Sequence, residues 1–536
     1  MHNRVSRTAA RTLRLAIGVM TGAGAVATAQ VTTAQYGNER LSVTLAETIL
    51  NPRTVNRGRF GKVATLPVDG DVYAQPLYAP RVAVRSSATT DAVRDLLIVA
   101  TEANSVYAFD AATLDPHPIW HTSFTDASAG VTPLSWRDVR CPFIQPDVGI
   151  TSTPVIDPSS LTLYALVRTK ERSAGGDSFV QRLHAMDLRT GKDVRAPVEI
   201  QATVQGRGAG SRNGSVDFDP LRENPRAALL LSRGVLYVAW ASSCDVGPYH
   251  GWIMAYDAKS LQQLAVLNTS PDGNEAGVWQ GDAGLAADSS GAIYAVTGNG
   301  TFTHSTTGRD FGNSVLKLRL ARGALVVEDY FTPSDEARLS ELDADLGSGG
   351  PLLLPADSAT GRPLVFVMGK SGMSYLLNRE ALGRFRPGDN AHARQVLRTS
   401  AGGFGSAAYW NHTLYVWGSH ASLAAYRIAG GRLVLPPVNG STTTVDPGAM
   451  PVVSAAGTRE GIVWAVETRT WRGADKPAVL HAYDASDVRR ELYCSEMNPS
   501  RDRAGLATRF AVPTVAGGRV LIGTRRQVEV YGLLKE

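Results

Sequence analysis

The sequence predicts an all-β protein, an eight-bladed β-propeller of four-stranded antiparallel blades, with seven blades plus extra strands as the alternative. Three observations predict it. One phrase recurs eight times along the chain. Within each copy the runs are short and rich in Val, Leu, Tyr and Ile, which suits strands rather than helices. The last copy lacks an outer strand, and a matching one, GKVATLPV at 61–68, stands just before the first copy.

The phrase is a short apolar strand opened by a small residue or Pro, a turn, an apolar-aromatic strand, another turn, and a strand ending near Asp. The copies begin at AQPLYAP (74–80), STPVID (152–157), AALLLSRGVLYVAWASS (227–243) and AGLAADSSGAIYAVTGNG (283–300). They continue at GGPLLLP (349–355), SAAYWNHTLYVWGS (406–419), MPVVSAAGTREGIVWAVET (450–468) and VPTVAGGRVLIGT (512–524). From Pro76 to Pro513 the seven intervals average about 62 residues, more than the ~40–50 of a compact blade. Several blades must therefore carry long loops. Radial repetition protects sheet edges, and the 61–68 strand is expected to complete the last blade and close the ring. Only short helical stretches are expected, such as 334–342.

The 53 Gly and 28 Pro, together about 15% of 536 residues, fit a turn-rich chain but not a collagen-like or low-complexity one. With 43% hydrophobic residues the chain can bury a large core. The net charge is +5, but Arg4, Arg7, Arg11 and Arg14 precede the first acidic residue, Glu39. Without those four the charge is about +1, so nucleic acid is not an expected partner. A basic stretch, an apolar run from Leu15 to Ala27 and Ala27-Thr28-Ala29 before Gln30 read as a secretion signal. The expected organisation is a signal peptide over 1–29, cleaved near Ala29-Gln30, an N-terminal extension over 30–58, and one propeller domain over 59–536. The protein is expected to be secreted or periplasmic, monomeric and without a transmembrane segment.

At YAFDAATLDPHPIW (107–120) and HAMDLRTGK (184–192) the repeat resembles that of pyrroloquinoline-quinone (PQQ) enzymes, roughly L-Y-A-x-D-x-x-T-G-x-x-x-W. The resemblance covers nearly the whole chain after the leader. It implies an eight-bladed propeller, shared in that superfamily by quinoprotein alcohol dehydrogenases and a non-enzymatic outer-membrane assembly scaffold. The dehydrogenases stack the quinone between a Trp and a disulfide of adjacent cysteines, and hold Ca²⁺ with Glu, Asn and Asp. Here Cys141, Cys244 and Cys494 are far apart, so the vicinal pair is missing and no catalytic residue carries over. The scaffold is a lipoprotein, and no lipid-bearing Cys stands near the cleavage site here.

In a propeller, the loops leading into the innermost strands share one face with the loops between second and third strands. Candidate ligand-binding residues on that channel face are Tyr73, Gln75, Asp147, His250, Trp279, Gln280, Asp282, Asp345, Ser348 and Phe404, with Thr151, Ser406 and Arg509 beside them. Such a ring offers convergent polar and aromatic groups. Cys141 lies in the loop leading into the second copy and Cys244 in the second-to-third-strand loop of the third. Same face and adjacent blades predict a Cys141–Cys244 disulfide, with Cys494 free. His184 and His481 occupy one slot of their third strands, a register position that reads as structural. Asp343 and Asp345 lack the later ligands of an EF-hand loop and read as turn chemistry, with no metal site expected.

The leading expectation is a non-enzymatic module that binds a small molecule, glycan or protein at the channel face. The alternative is a PQQ- and Ca²⁺-dependent oxidoreductase acting on an alcohol or sugar. A glycan-binding or glycan-active propeller is the third.

Overall fold

The computed structural model describes residues 29–85, 91–281, 283–303, 307–356, 360–468 and 476–535. The expected signal peptide lies almost wholly outside the described residues. Eight sheets stand around one axis. Numbered in chain order, blades 1 to 8 have as innermost strands Leu77–Arg85, Val155–Asp157, Leu230–Ser232, Ala286–Ala287, Leu352–Leu354, Ala408–Trp410, Val452–Ala456 and Thr514–Ala516. The strand Phe60–Pro67 pairs antiparallel with Gln527–Leu533, from Phe60 opposite Leu533 to Pro67 opposite Gln527. The N-terminal strand thus completes blade 8 and closes the ring, as expected. The 334–342 stretch holds the short helix Glu336–Glu341.

The middle strands are apolar on both sides because each blade is sandwiched between two neighbours. Blade 7 shows the rule in its second strand, Arg459–Glu467. Ile462, Trp464 and Val466 pack into the core shared with blade 8. The alternate residues Val463 and Ala465 pack into the core shared with blade 6. Period-two alternation assigns each residue to one of two inter-blade cores, so the strand reads as a continuous hydrophobic run instead of an apolar-polar alternation.

The segment 31–47, expected only as an extension, is built into the axis. It runs around the inside of the ring and bonds to the innermost strand of every blade. Val31 and Tyr78 exchange both backbone bonds at 2.9 Å, and the Ile156 N–H donates to the Thr32 carbonyl. Asn38 donates to the Leu231 carbonyl and accepts from the Ala287 N–H. The N–H groups of Leu353, Tyr409 and Val453 donate to the carbonyls of Glu39, Leu41 and Ser42. The Tyr36 hydroxyl accepts from the Val515 N–H at 2.6 Å and donates to the Pro513 carbonyl.

Arg40 holds this plug together. It is fully buried. Its guanidinium donates to Thr33 Oγ1, Ala34 O, Leu285 O and Leu229 O. Burial lowers its pKa to about 9, with Glu39 opposing. Replacing it by Ala would strand buried carbonyls at about 1–3 kcal/mol each. Arg40→Ala is expected to lower unfolding free energy by about 3 kcal/mol or more, read as a reduced urea midpoint at unchanged slope. An unchanged midpoint would show the plug to be dispensable.

Candidate functional site

The plug bonds to the innermost strands several residues after the loops that lead into them. Those loops stand on the opposite face of the ring, and there they line a cavity of about 240 Å³. The channel is therefore closed beneath, and this cup opens on the loop face. Its wall takes Tyr73 from blade 1, Phe143 and Ile144 before blade 2, Arg226 before blade 3 and Trp279 before blade 4. Asp343, Asp345 and Ser348 come from the loop before blade 5, Phe404 from that before blade 6, and Arg509 and Phe510 from that before blade 8. Cys244, Asp245 and Lys370 arrive from second-to-third-strand loops, as the repeat geometry requires.

The two sides of the cup differ in charge. On one, Lys370 Nζ lies 2.6 Å from Asp343 and 3.6 Å from Asp345. Asp345 also accepts from the Asn299 N–H at 2.7 Å, and Asp245 accepts from the Tyr249 hydroxyl. Burial raises the Asp345 pKa to about 6; Lys370 and the Asn299 amide oppose this, while Asp343 and Asp245 add to it. Gly298 is needed here, because a Cβ would stand 2.3 Å from Asp345 Oδ1 and 2.7 Å from the Trp279 ring. On the other side, Arg226 lies over the Phe510 ring at 5.0 Å and Arg509 over Phe143 at 3.9 Å. Phe510 stacks on Phe404. Arg226 Nη2 is buried without a hydrogen-bond partner among the described residues, as is Trp279 Nε1. Burial lowers the Arg509 pKa, Tyr73 opposes, and Arg226 and Arg525 lower it further.

Of the expected channel-face residues, the structure brings Tyr73, Trp279, Asp345, Ser348, Phe404 and Arg509 together. Gln75 lies below the cup, where its Oε1 accepts from the Gln35 N–H of the plug and its Nε2 donates to Thr514 Oγ1. Gln280 is fully buried. His250 is turned into its own blade, with Nδ1 at Ser270 and Nε2 at the Ala209 carbonyl. Asp147 belongs to the ribbon Leu134–Ser135 and Asp147–Val148, outside the cup. Asp282 lies outside the described residues. Arg226, Lys370, Asp245, Phe143 and Phe510 were not anticipated, since repeat register locates a loop but not which side chain turns inward.

The Cys141–Cys244 disulfide is formed, with Cα atoms 5.5 Å apart and a sequence separation of 103, and Cys494 is free. It pins the ribbon that carries Phe143 and Ile144 against blade 3. Tyr73, Leu134, Val139, Ile144 and Val148 form a small core around Cys141, and the Tyr73 hydroxyl donates to the Phe143 carbonyl at 3.1 Å. A larger cleft, about 460 Å³, lies at the outer edge of blades 3 and 4. Its charged groups pair with one another or with close neighbours, Arg309 with Asp272 and Arg384 with Asp329, so it presents less unmet demand than the cup.

No protein-family model matches the chain, and no curated protein matches it in sequence. Its fold is similar to that of the quinohemoprotein alcohol dehydrogenase ADHIIG from Pseudomonas putida HK5. That likeness has a TM-score of 0.59 and 14% identity, over 94% of this chain and 80% of that one. BamB from Moraxella catarrhalis aligns with a TM-score of 0.49 and 14% identity, over 89% of this chain and 98% of that one. Saccharomyces cerevisiae Sqt1 aligns at 0.46 and 9%, over 89% and 100%. The class defined here is the eight-bladed β-propeller whose structural neighbours include quinoprotein dehydrogenases. At these identities the likeness speaks to fold alone.

Closing a loop of about 100 residues constrains the unfolded chain by up to about 5 kcal/mol. Dithiothreitol is expected to lower the urea midpoint of the wild type and leave that of the Cys141→Ala, Cys244→Ala double variant unmoved. Alkylation of the denatured, unreduced protein should label Cys494 alone; labelling at all three cysteines would overturn the bridge.

Proposed function

We propose that this protein is an exported, non-enzymatic binding module of the PQQ-repeat propeller class, and that its cup takes a small anionic ligand. One observation carries the reading. Arg226 and Arg509 converge on one cup with aromatic rings beneath their guanidinium groups, and an Arg226 N–H is left without a hydrogen-bond partner among the described residues. A buried donor on a cation is costly to leave unmet, and a carboxylate or phosphate meets it. The ring faces of Phe404, Phe510 and Trp279 suit a flat or sugar-like body attached to that anion. Export is supported by the basic-apolar-small leader and by the disulfide, which persists in oxidising compartments. Among the described residues no helix is long and apolar enough to cross a membrane.

A second reading is the PQQ- and Ca²⁺-dependent oxidoreductase, favoured by Trp279 and Cys244 lining one cup. The donor set does not fit it. Asp343 and Asp345 already hold the Lys370 ammonium, and Asn299 meets them with its N–H groups rather than with an oxygen. A Ca²⁺ ion needs six to eight oxygens.

Titration calorimetry with a panel of aromatic carboxylates, sugar phosphates, neutral glycans and PQQ with and without Ca²⁺ tests these readings. Anionic compounds are expected to bind, and Arg226→Ala to weaken them about 10–100-fold, the worth of a charge-assisted hydrogen bond. Neutral glycans binding equally well and failing with Trp279→Ala would favour the glycan reading; Ca²⁺-dependent PQQ binding would favour the oxidoreductase. Asp345 gains a proton as pH falls through about 6, removing one negative charge from the cup. Affinity for an aromatic sulfonate, ionised throughout, is therefore expected to rise between pH 7.5 and 5, and Asp345→Asn to flatten that rise.

A further inference from the structure

Blade 7 carries a second chemical cluster, away from the cup. His481 lies on its third strand, Val479–Asp484, directly opposite Cys494 on the fourth, Glu491–Cys494. A ring nitrogen of His481, a Glu491 carboxylate oxygen and Cys494 Sγ all lie within 4.8 Å of one another. His481 Nδ1 stands 2.8 Å from Glu491 Oε1, and its Nε2 stands 3.4 Å from Glu467 Oε2 on the second strand. The imidazole is held in one orientation, set edge-to-face against Trp417 at 5.5 Å and stacked along Tyr483. His481 is buried, whereas Glu491 and Cys494 are partly exposed and leave a way in.

We propose that this cluster is a transition-metal site of the zinc class, with His481 Nδ1, Glu491 and the Cys494 thiolate as ligands and water in the fourth position. Four features support it. The mixed nitrogen, sulfur and oxygen set suits Zn²⁺ and other borderline ions and is wrong for Ca²⁺ or Mg²⁺. The second ring nitrogen faces a carboxylate, the outer-shell arrangement that fixes the tautomer and orientation of a metal-bound imidazole. Charge also balances: Zn²⁺ with a neutral imidazole, one carboxylate and one thiolate is neutral, the thiol proton and any proton on Nδ1 leaving to solvent while the Nε2–H stays toward Glu467. Finally, His184 fills the corresponding slot of blade 2, where its Nδ1 meets Asp193 at 2.9 Å and its ring packs on Phe124. The slot holds Tyr107 in blade 1 and Met254 in blade 3, so the fold does not require a histidine there, and blade 7 adds a thiol and a second carboxylate to the pair seen in blade 2.

The full chain, purified without a polyhistidine tag, is titrated with Co²⁺ and then Zn²⁺. One Co²⁺ per chain with a near-ultraviolet thiolate-to-metal charge-transfer band is expected, displaced by Zn²⁺ and absent from Cys494→Ser. Glu467→Gln should weaken binding about 10–100-fold, and His184→Ala should change nothing. Should the blade 7 variants fail to fold, the wild type still decides: Zn²⁺ should slow iodoacetamide labelling of native Cys494 at least about tenfold, reversed by a chelator. Saturating Co²⁺ without a thiolate band, a band retained by Cys494→Ser, or labelling indifferent to Zn²⁺ would each overturn the site.

Discussion

A propeller turns eight strand edges toward one axis, and each edge presents backbone N–H and C=O groups with no further strand to pair with. Buried groups of that kind must find partners, so an open channel filled with water or a segment of chain are the available solutions. This protein uses its own residues 31–47. Val43–Thr44 pairs parallel with Val453–Ser454 of blade 7, but the plug as a whole is not a ninth strand, because no single strand can run parallel to eight edges arranged in a circle. It curls instead, and the left-handed backbone of Gln35, Tyr36, Arg40 and Ser42 is the local cost of that curl. Such conformations cost non-glycine residues about 1 kcal/mol or more each, and the bonds to every blade hold them in place.

The plug determines what the cup can be. With the axis closed from below, the channel is no conduit, and whatever binds must enter among the loops. The loops that matter are those leading into the innermost strands, because only they converge on the axis at the upper rim. The disulfide fixes the ribbon of Leu134–Ser135 and Asp147–Val148 to blade 3, and with it the Phe143 ring beneath Arg509. Ring closure by Phe60–Pro67 and axial filling by the preceding residues are thus two uses of one N-terminal segment. The first ties blade 8 to the start of the chain; the second gives the cup a floor.

The fold was legible because blade packing is periodic. Residues such as Trp464 and Val463 report two different cores by parity alone, and the missing strand of blade 8 could be matched to 61–68 by its text. The disulfide was legible for the same reason: register places Cys141 and Cys244 on one face of neighbouring blades before any geometry is known. The plug was not legible. Its work is done largely by backbone groups and by Asn38 and Arg40, and in sequence a polar, aperiodic stretch after a leader reads as a tail. The cup was half legible. Tyr73, Trp279 and Asp345 sit where register puts them, whereas Arg226 and Lys370 lie in loops of unequal length, where a residue or two decides whether a side chain reaches the axis. His250 shows the converse, a channel-face position whose ring turns into the blade to meet Ser270 and Ala209.

Within one repeat, the same residue type serves structure or chemistry according to what surrounds it. Arg40 and Arg226 both carry charge out of water. Around Arg40 the fold supplies four oxygens, so the cation is a tie between plug and blades and has no need of a ligand. Beneath Arg226 the fold supplies an aromatic face and, among the described residues, no partner for one N–H, a demand that the proposed anion would meet. His184 and His481 divide in the same way: one slot, one carboxylate in blade 2, and in blade 7 two carboxylates and a thiol. Folding demands satisfaction of buried polar groups, so supply short of that demand, as at Arg226, or donors beyond it, as at His481, is where selection for something other than folding leaves its trace. Judged by that criterion, the cup and the blade 7 cluster are two separate functional sites on one scaffold, and both contrast with Arg40, whose charge the fold itself resolves.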